Sequence, residues 1–347
     1  MKKILTFILL GVGALSHAQT VRRVNKTPGL NDPAIYTNVQ AAHDASAAGD
    51  IIYIEPTDID GGAYGSVTFN RRITLIGTGY DLSTTPNTSF DKRKVTMSQI
   101  TLENGSAGSV VMGMDVSYII IRDINCTITR CIISNVDFAR AQILLGGVFS
   151  YGNNATITNN RINSTISGGQ ATNAIISNNI GSFSISELTG AVINYNTFNC
   201  NSGSPRFNNI DGSTITNNIF DARDRVVGYI LIDATSNGTT ISNNLCTNIA
   251  ALPTGGGNVN STNQNLVFIT GNPWAVSPYI DNNLQLATSS PARTVGPGGT
   301  PIGAFAGNNP YVLSGVPNVP VITTFFNTGA GTTATPLNVT ISVRSAN

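Results

Sequence analysis

The amino-acid sequence predicts a right-handed parallel β-helix, an all-β solenoid with an N-terminal capping helix and a C-terminal hairpin-like tail. Three observations predict it. An Ile-x-Asn-Asn unit recurs through residues 157 to 244. Short apolar strands bounded by turn residues fill the chain before it, and one short amphipathic helix precedes them all. Repeats of varying length are what a solenoid shows when its strands stay fixed and one loop of each coil lengthens.

The chain opens like a secretory signal. Met1-Lys2-Lys3 is positive, residues 4–15 are apolar, and Ser16-His17-Ala18 is a small-x-Ala cleavage pattern. Residues 1–18 are therefore read as a leader cut near Ala18, which places the mature protein outside the cell or on its outer surface. The apolar run is too short to span a bilayer, and no later stretch reaches the length a transmembrane helix needs. Removing Lys2 and Lys3 turns 19 basic residues into 17 against 18 acidic ones, a net charge of −1. With charged residues only 11% of the chain and no Lys after Lys94, no basic stripe exists to follow a phosphate backbone, which argues against nucleic acid as a partner. Asn, about 12% of the chain, supplies the polarity instead.

Residues 37–48 predict the helix, opened by a Thr37-x-x-Gln40 capping box, lined by Val39 and Ala42, and stopped at Gly49. Strands follow at residues 51–54, 66–69 and 73–76. A helix there would cover the open first coil, whose core and strand edge would otherwise face water. Residues 37–80, with Ala47-Ala48-Gly49-Asp50-Ile51-Ile52-Tyr53-Ile54 followed by Arg72-Ile73-Thr74-Leu75-Ile76-Gly77, resemble the N-terminal cap and first coils of the pectate-lyase-like right-handed β-helix superfamily. That resemblance implies the scaffold and not an active site.

Further strands are predicted at 110–112, 118–121, 127–129 and 132–133. The repeat then becomes explicit around Ile157, Ile176, Ile193, Ile215 and Ile241, with second-Asn spacings of 19, 17, 22 and 26 residues. In each unit the Ile should point inward and the Asn pair should turn the chain, because Asn tolerates the left-handed backbone and stacked amides can bond along the axis. Residues 281–305 resemble the closing coil of secreted β-helices. Residues 19–312 are read as the solenoid with its cap, and 313–347 as a tail whose strand-like runs, 321–326 and 337–343, should form a hairpin folded over the last coil; a surface-anchoring signal is the alternative. The four cysteines, Cys126, Cys131, Cys200 and Cys246, match no zinc spacing and admit either buried thiols or disulfides. A monomer is expected.

Chemistry is sparse. Lyases of the superfamily need a base and cations or Arg to neutralise a uronate, and the richest polar constellation here is Asp221, Arg223, Asp224 and Arg225, with Asp211 before and Asp233 after it. Arg223 and Arg225 are the candidate catalytic base or charge neutraliser, and Asp221, Asp224 and Asp233 the candidate Ca²⁺ ligands. A salt-bridge network in a loop explains the same cluster, and no Asp-Gly-Asn calcium loop accompanies it. Arg122, Asp123, Arg130, Asp137 and Arg140 form a second set, equally readable as charge pairs across coils. Hydrolases of this architecture resemble one another in closely spaced Asp residues beside His and Lys; the middle coils here have neither, and His43 falls on the cap surface. Tyr151 and Phe207, both placed in loops, are the candidate rings for stacking on a sugar; Trp274, the only tryptophan, reads as packing under a loop. Broken Thr-x-Thr rows (127–129, 156–158, 214–216) do not make an ice-binding array. The function expected is that of a secreted or cell-surface β-helix contacting a polysaccharide or cell-surface glycan by binding or display without catalysis. A Ca²⁺- and Arg-dependent polysaccharide lyase and a structural adhesin are the alternatives.

Overall fold

A computed structural model describes residues 19–30, 32–85, 89–138, 152–200, 207–225, 231–275 and 280–344. Among them, two long parallel sheets build a β-helix. The first runs through Val21–Val24, Ile51–Ile54, Thr74–Ile76, Val110–Met112, Thr127–Thr129, Thr156–Thr158, Ile175–Ser177, Val192–Asn194, Thr214–Thr216 and Thr240–Ser242 in stacking order, with Ile35–Tyr36 on the outer side of Val21–Val24. The second stacks Ser66–Phe69, Thr96–Leu102, Asp115–Ile121, Ile132–Asp137 and Arg161–Ser167, then divides into an inner row, Ile180–Gly181 to Val259–Thr262, and a branch through Ser184–Thr189 and Phe207–Asp211. No helix among the described residues is long and apolar enough to cross a membrane.

The Ile-x-Asn-Asn unit does what its chemistry predicts. Ile157, Ile176, Ile193 and Ile215 lie in register on successive coils and are fully buried, each worth about 1.5–3 kcal/mol relative to exposure, whereas Ile241, in register on the next coil, is only partly buried. The position before the second Asn takes a left-handed backbone in Asn159, Asn178, Tyr195, Asn217 and Asn243, with φ between 52° and 59°. The second Asn of each pair turns inward as a ladder. Asn160 Nδ2 donates to Asn179 Oδ1 at 3.1 Å, Asn179 to Asn196, Asn196 to Asn218 and Asn218 to Asn244 at 3.0 Å, and Asn244 to Asn258 at 3.2 Å. Each Oδ1 also accepts a backbone N–H one coil earlier, so the corner, where strand hydrogen bonding lapses, keeps its polar groups satisfied.

Phe183, Phe198, Phe207 and Phe220 fill the late core, with Phe198 and Phe220 stacked 5.0 Å apart. All four cysteines are buried; burial pushes the Cys126 thiol up to about 11, and those of Cys131 and Cys246 to about 12. Cys126, Cys131 and Cys246 are in no disulfide, and the Cys131 thiol donates to Thr129 O at 3.2 Å.

Residues 281–305 do not close a coil. After Val259–Thr262 the chain makes short 3₁₀ turns and reverses, running along the outside of the Asn corner toward the N-terminus as a strap. Gly303 N bonds Asn217 O, Asn178 Nδ2 donates to the carbonyls of Ala304 and Ala306, Val312 N bonds Asn159 Oδ1, and Arg130 Nη1 donates to Val316 O. The strap buries an outward apolar row, Ile180, Ile219 and Leu245, beneath Leu284, Ala292, Ile302 and Ala304. Where it passes closest only glycine fits: a Cβ on Gly303 would lie 2.5 Å from Ile219 Cδ1, and one on Gly315 2.3 Å from Arg130 O. The predicted tail hairpin exists, Val321–Asn327 paired antiparallel with Val339–Arg344. It lies beside the first coils, where Phe90 N bonds Ile322 O at 2.7 Å, and not over the last coil, because the strap has carried it back.

The cap helix is shorter than predicted, Val39–Asp44, and Asn38 rather than Thr37 caps it, accepting from Ala41 N at 2.7 Å. Gln40 turns instead to Asp44 and the Thr68 backbone. His43 is not a surface residue: it is 1% exposed, 5.1 Å from the Phe69 ring, and its Nε2 accepts from Asn70 N. Burial, reinforced by the nearby Arg71, holds its pKa below the usual histidine value despite the hydrogen bond to Asp44. A base whose folded pKa lies below its unfolded one, near 6.5, contributes full stability above that value and loses it as pH falls toward the folded value. The urea midpoint should therefore drop between pH 7 and 5.5, and His43→Gln should flatten that drop; an unchanged pH dependence in the variant would show that another group titrates there.

Candidate functional site

The constellation after Asn218 is brought together only in part, and its centre is closed. Asp221 is fully buried on the strand Ile219–Asp221. Its Oδ2 accepts from Arg223 Nη2 at 2.6 Å and Trp274 Nε1 at 2.9 Å, and its Oδ1 from Thr247 Oγ1 at 2.9 Å. Arg223 Nη2 also bonds Gly271 O at 3.0 Å. Arg225 Nε donates to Cys200 O, and Asn248 Nδ2 ties down the carbonyls of both arginines. The pair thus pins the loop carrying Trp274 onto the late coils. Asp224 is exposed, while Asp233 caps its own turn by accepting from Thr235 N. Among the described residues no group of three or more His, Cys, Asp or Glu side chains is arranged to hold a metal, so Asp221, Asp224 and Asp233 do not converge as Ca²⁺ ligands.

Phe207 is corrected from loop to core: it begins the strand Phe207–Asp211, is fully buried and meets Phe198 and Phe220 edge-on, so its face is closed to a sugar. Tyr151 and Arg140 lie outside the described residues. In the second charge set, Arg122 pairs with Glu103, Asp123 accepts from Gly105 N and Ala107 N, Arg130 holds the strap and Asp137 accepts from Tyr118 Oη. These are structural roles.

An open groove emerges elsewhere, on the branch of the second sheet. Gly169 and Gln170, Glu187 and Thr189, and Asn209 and Asp211, contributed by three adjacent coils, line a cavity of about 400 Å³. Coils are spaced about 4.8 Å apart, so the groove repeats its polar groups along the axis. Its geometry comes from a kink repeated in register on two adjacent coils. Ser186 pairs with Asn208 and Leu188 with Ile210, and between them Glu187 and Asn209 take left-handed backbones, φ 59° and 53°. Asn adopts that backbone at little cost; Glu pays roughly 1–2 kcal/mol. Asp211 Oδ1 accepts from Asn237 N at 2.8 Å, which orients its carboxylate. Two carboxylates with amide and hydroxyl neighbours present acceptors to a ligand rich in O–H groups and repel an anionic one. Sequence reasoning passed over Glu187, whose left-handed backbone breaks the alternation of Ser184–Thr189, where the buried Ile185 and Leu188 stand three residues apart.

No family model matches the chain, and no curated protein matches it. Among solved structures, the GH136 lacto-N-biosidase from Eubacterium ramulus is similar with a TM-score of 0.47 and 9% identity, over 67% of this chain and 56% of that one. The chain thus spans little more than half the length of that protein.

Proposed function

We propose that this is an exported or cell-surface β-helix of the pectate-lyase-like type that holds a neutral polysaccharide in the groove lined by Glu187, Asn209 and Asp211, by binding and not by cleavage. The observation that carries the reading is the groove itself, where Glu187 and Asp211 from adjacent coils line one cavity beside Asn209 and Thr189, with Glu187 held in a costly left-handed backbone. The secretory pattern of residues 1–18 supports the location, and the resemblance of residues 37–80 supports the superfamily. The lyase alternative loses its support, because the Arg223 guanidinium is engaged in holding Asp221 and the Trp274 loop.

Glu187→Asn and Asp211→Asn test it. Glycan-array or affinity-electrophoresis signals with neutral polysaccharides should weaken about tenfold or more in each, the scale of one charge-assisted hydrogen bond. The melting temperature of Glu187→Asn should hold or rise, since Asn suits the left-handed backbone. The bound polymer should be recovered uncut. Absence of any glycan signal from the wild-type protein would reject binding, and shortened polymer would replace display by catalysis.

A further inference from the structure

We propose that the cleft between the first coils and the returned hairpin is a second binding site, specific for the ring of a single neutral sugar unit. The cleft has a volume of about 450 Å³, and Tyr53, Phe90 and Phe325 supply its aromatic walls. That size lies within the range of small-ligand pockets. Phe90 and Phe325, with ring centroids 6.2 Å apart and inclined at 56°, are 54% and 40% exposed. Two phenyl rings left open to water at the mouth of one cleft present an apolar surface that a ligand can cover.

The polar groups select the ligand. Glu55 and Asp91 line the cleft with Arg93. Glu55 accepts from Arg23 Nε and from Asn25 Nδ2, and Asp91 is clamped by Arg93, whose other Nη reaches Asp58 at 2.7 Å. Every charge lining the cleft is matched, so neither an anionic uronate nor a quaternary ammonium finds an uncompensated partner. Carboxylate oxygens retain acceptor capacity beyond these bonds. Apolar ring faces beside such acceptors fit a molecule with a C–H face and an O–H edge, which is a pyranose. The cleft is distinct from the groove over Glu187 and does not depend on the reading given to that groove. It exists only because the strap brings Ile322 and Phe325 from the chain's end to its beginning.

Saturation-transfer-difference NMR on the full protein with methyl glucoside, methyl galactoside and methyl mannoside tests the proposal, with glucuronate and choline as charged controls. At least one methyl pyranoside should receive saturation, falling at least fivefold in Phe90→Ala and in Phe325→Ala. Both rings are exposed, so an unchanged circular dichroism melt should accompany the loss. No transfer to any of the three pyranosides, transfer unchanged in both Phe variants, or preferential transfer to glucuronate or choline would overturn it. Transfer abolished by Glu187→Asn instead would place the sugar in the groove and overturn the second site alone.

Discussion

Asn218→Ala should lower stability by about 3–5 kcal/mol, more than any single deletion on the protein's surface. Asn218 Nδ2 donates to the Ile193 and Thr216 carbonyls and to Asn244 Oδ1, and Oδ1 accepts from both Asn196 N and Asn196 Nδ2. Alanine leaves several of these groups buried without partners, each costing about 1–3 kcal/mol, and opens a void. The neighbouring Asn217→Gly should cost under about 1 kcal/mol, because glycine accepts the left-handed backbone at least as well and the Asn217 Oδ1 has no hydrogen-bond partner. Chemical denaturation of the two variants side by side measures the contrast. Equal losses would show that the corner conformation, and not the amide ladder, holds the coils.

The second large effect is Asp221→Ala, also expected to cost about 3–5 kcal/mol, since it leaves Arg223 buried without its carboxylate. The only tryptophan reports on it directly: with Trp274 Nε1 released from Asp221, the emission should shift to the red before any global unfolding. Asp221→Leu combined with Arg223→Met should recover much of the lost stability, because removing both charges abolishes the desolvation penalty that a lone one incurs. Glycan binding should survive in the double variant. A double variant that stays stable and loses glycan binding would return this pair to the functional site; an Asp221→Ala protein as stable as wild type would show that the pair does not anchor the Trp274 loop.

The two sites differ in how much of each could be read in advance. Asp221, Arg223, Asp224 and Arg225 stood out because charge is rare in this chain, yet rarity marks a buried structural pair as readily as a catalytic one. The groove residues gave no such mark. Glu187 and Asp211 lie 24 residues apart in different strands, and they come to line one groove only when coils of different length are stacked in register. The aromatic cleft was further out of reach, since Tyr53 and Phe325 are joined by no local pattern.

The sequence by itself determined the coil. Ile-x-Asn-Asn specifies an inward apolar residue, a left-handed corner and a stackable amide within four positions, and each of those preferences is local. The capping helix and the tail hairpin follow from equally local patterns. What only the tertiary structure decided is everything made by the chain's return: the strap over the Asn corner, the hairpin beside the first coils instead of the last, the burial of His43 against Phe69, and the cleft at Phe90. The strap makes no periodic strands, and its glycines are required by contacts such as Gly303 on Ile219 and Gly315 on Arg130, more than eighty residues away. A short-range pattern records what a residue prefers, whereas a close approach between distant segments is fixed by the shape of a surface that exists only after the coils have stacked.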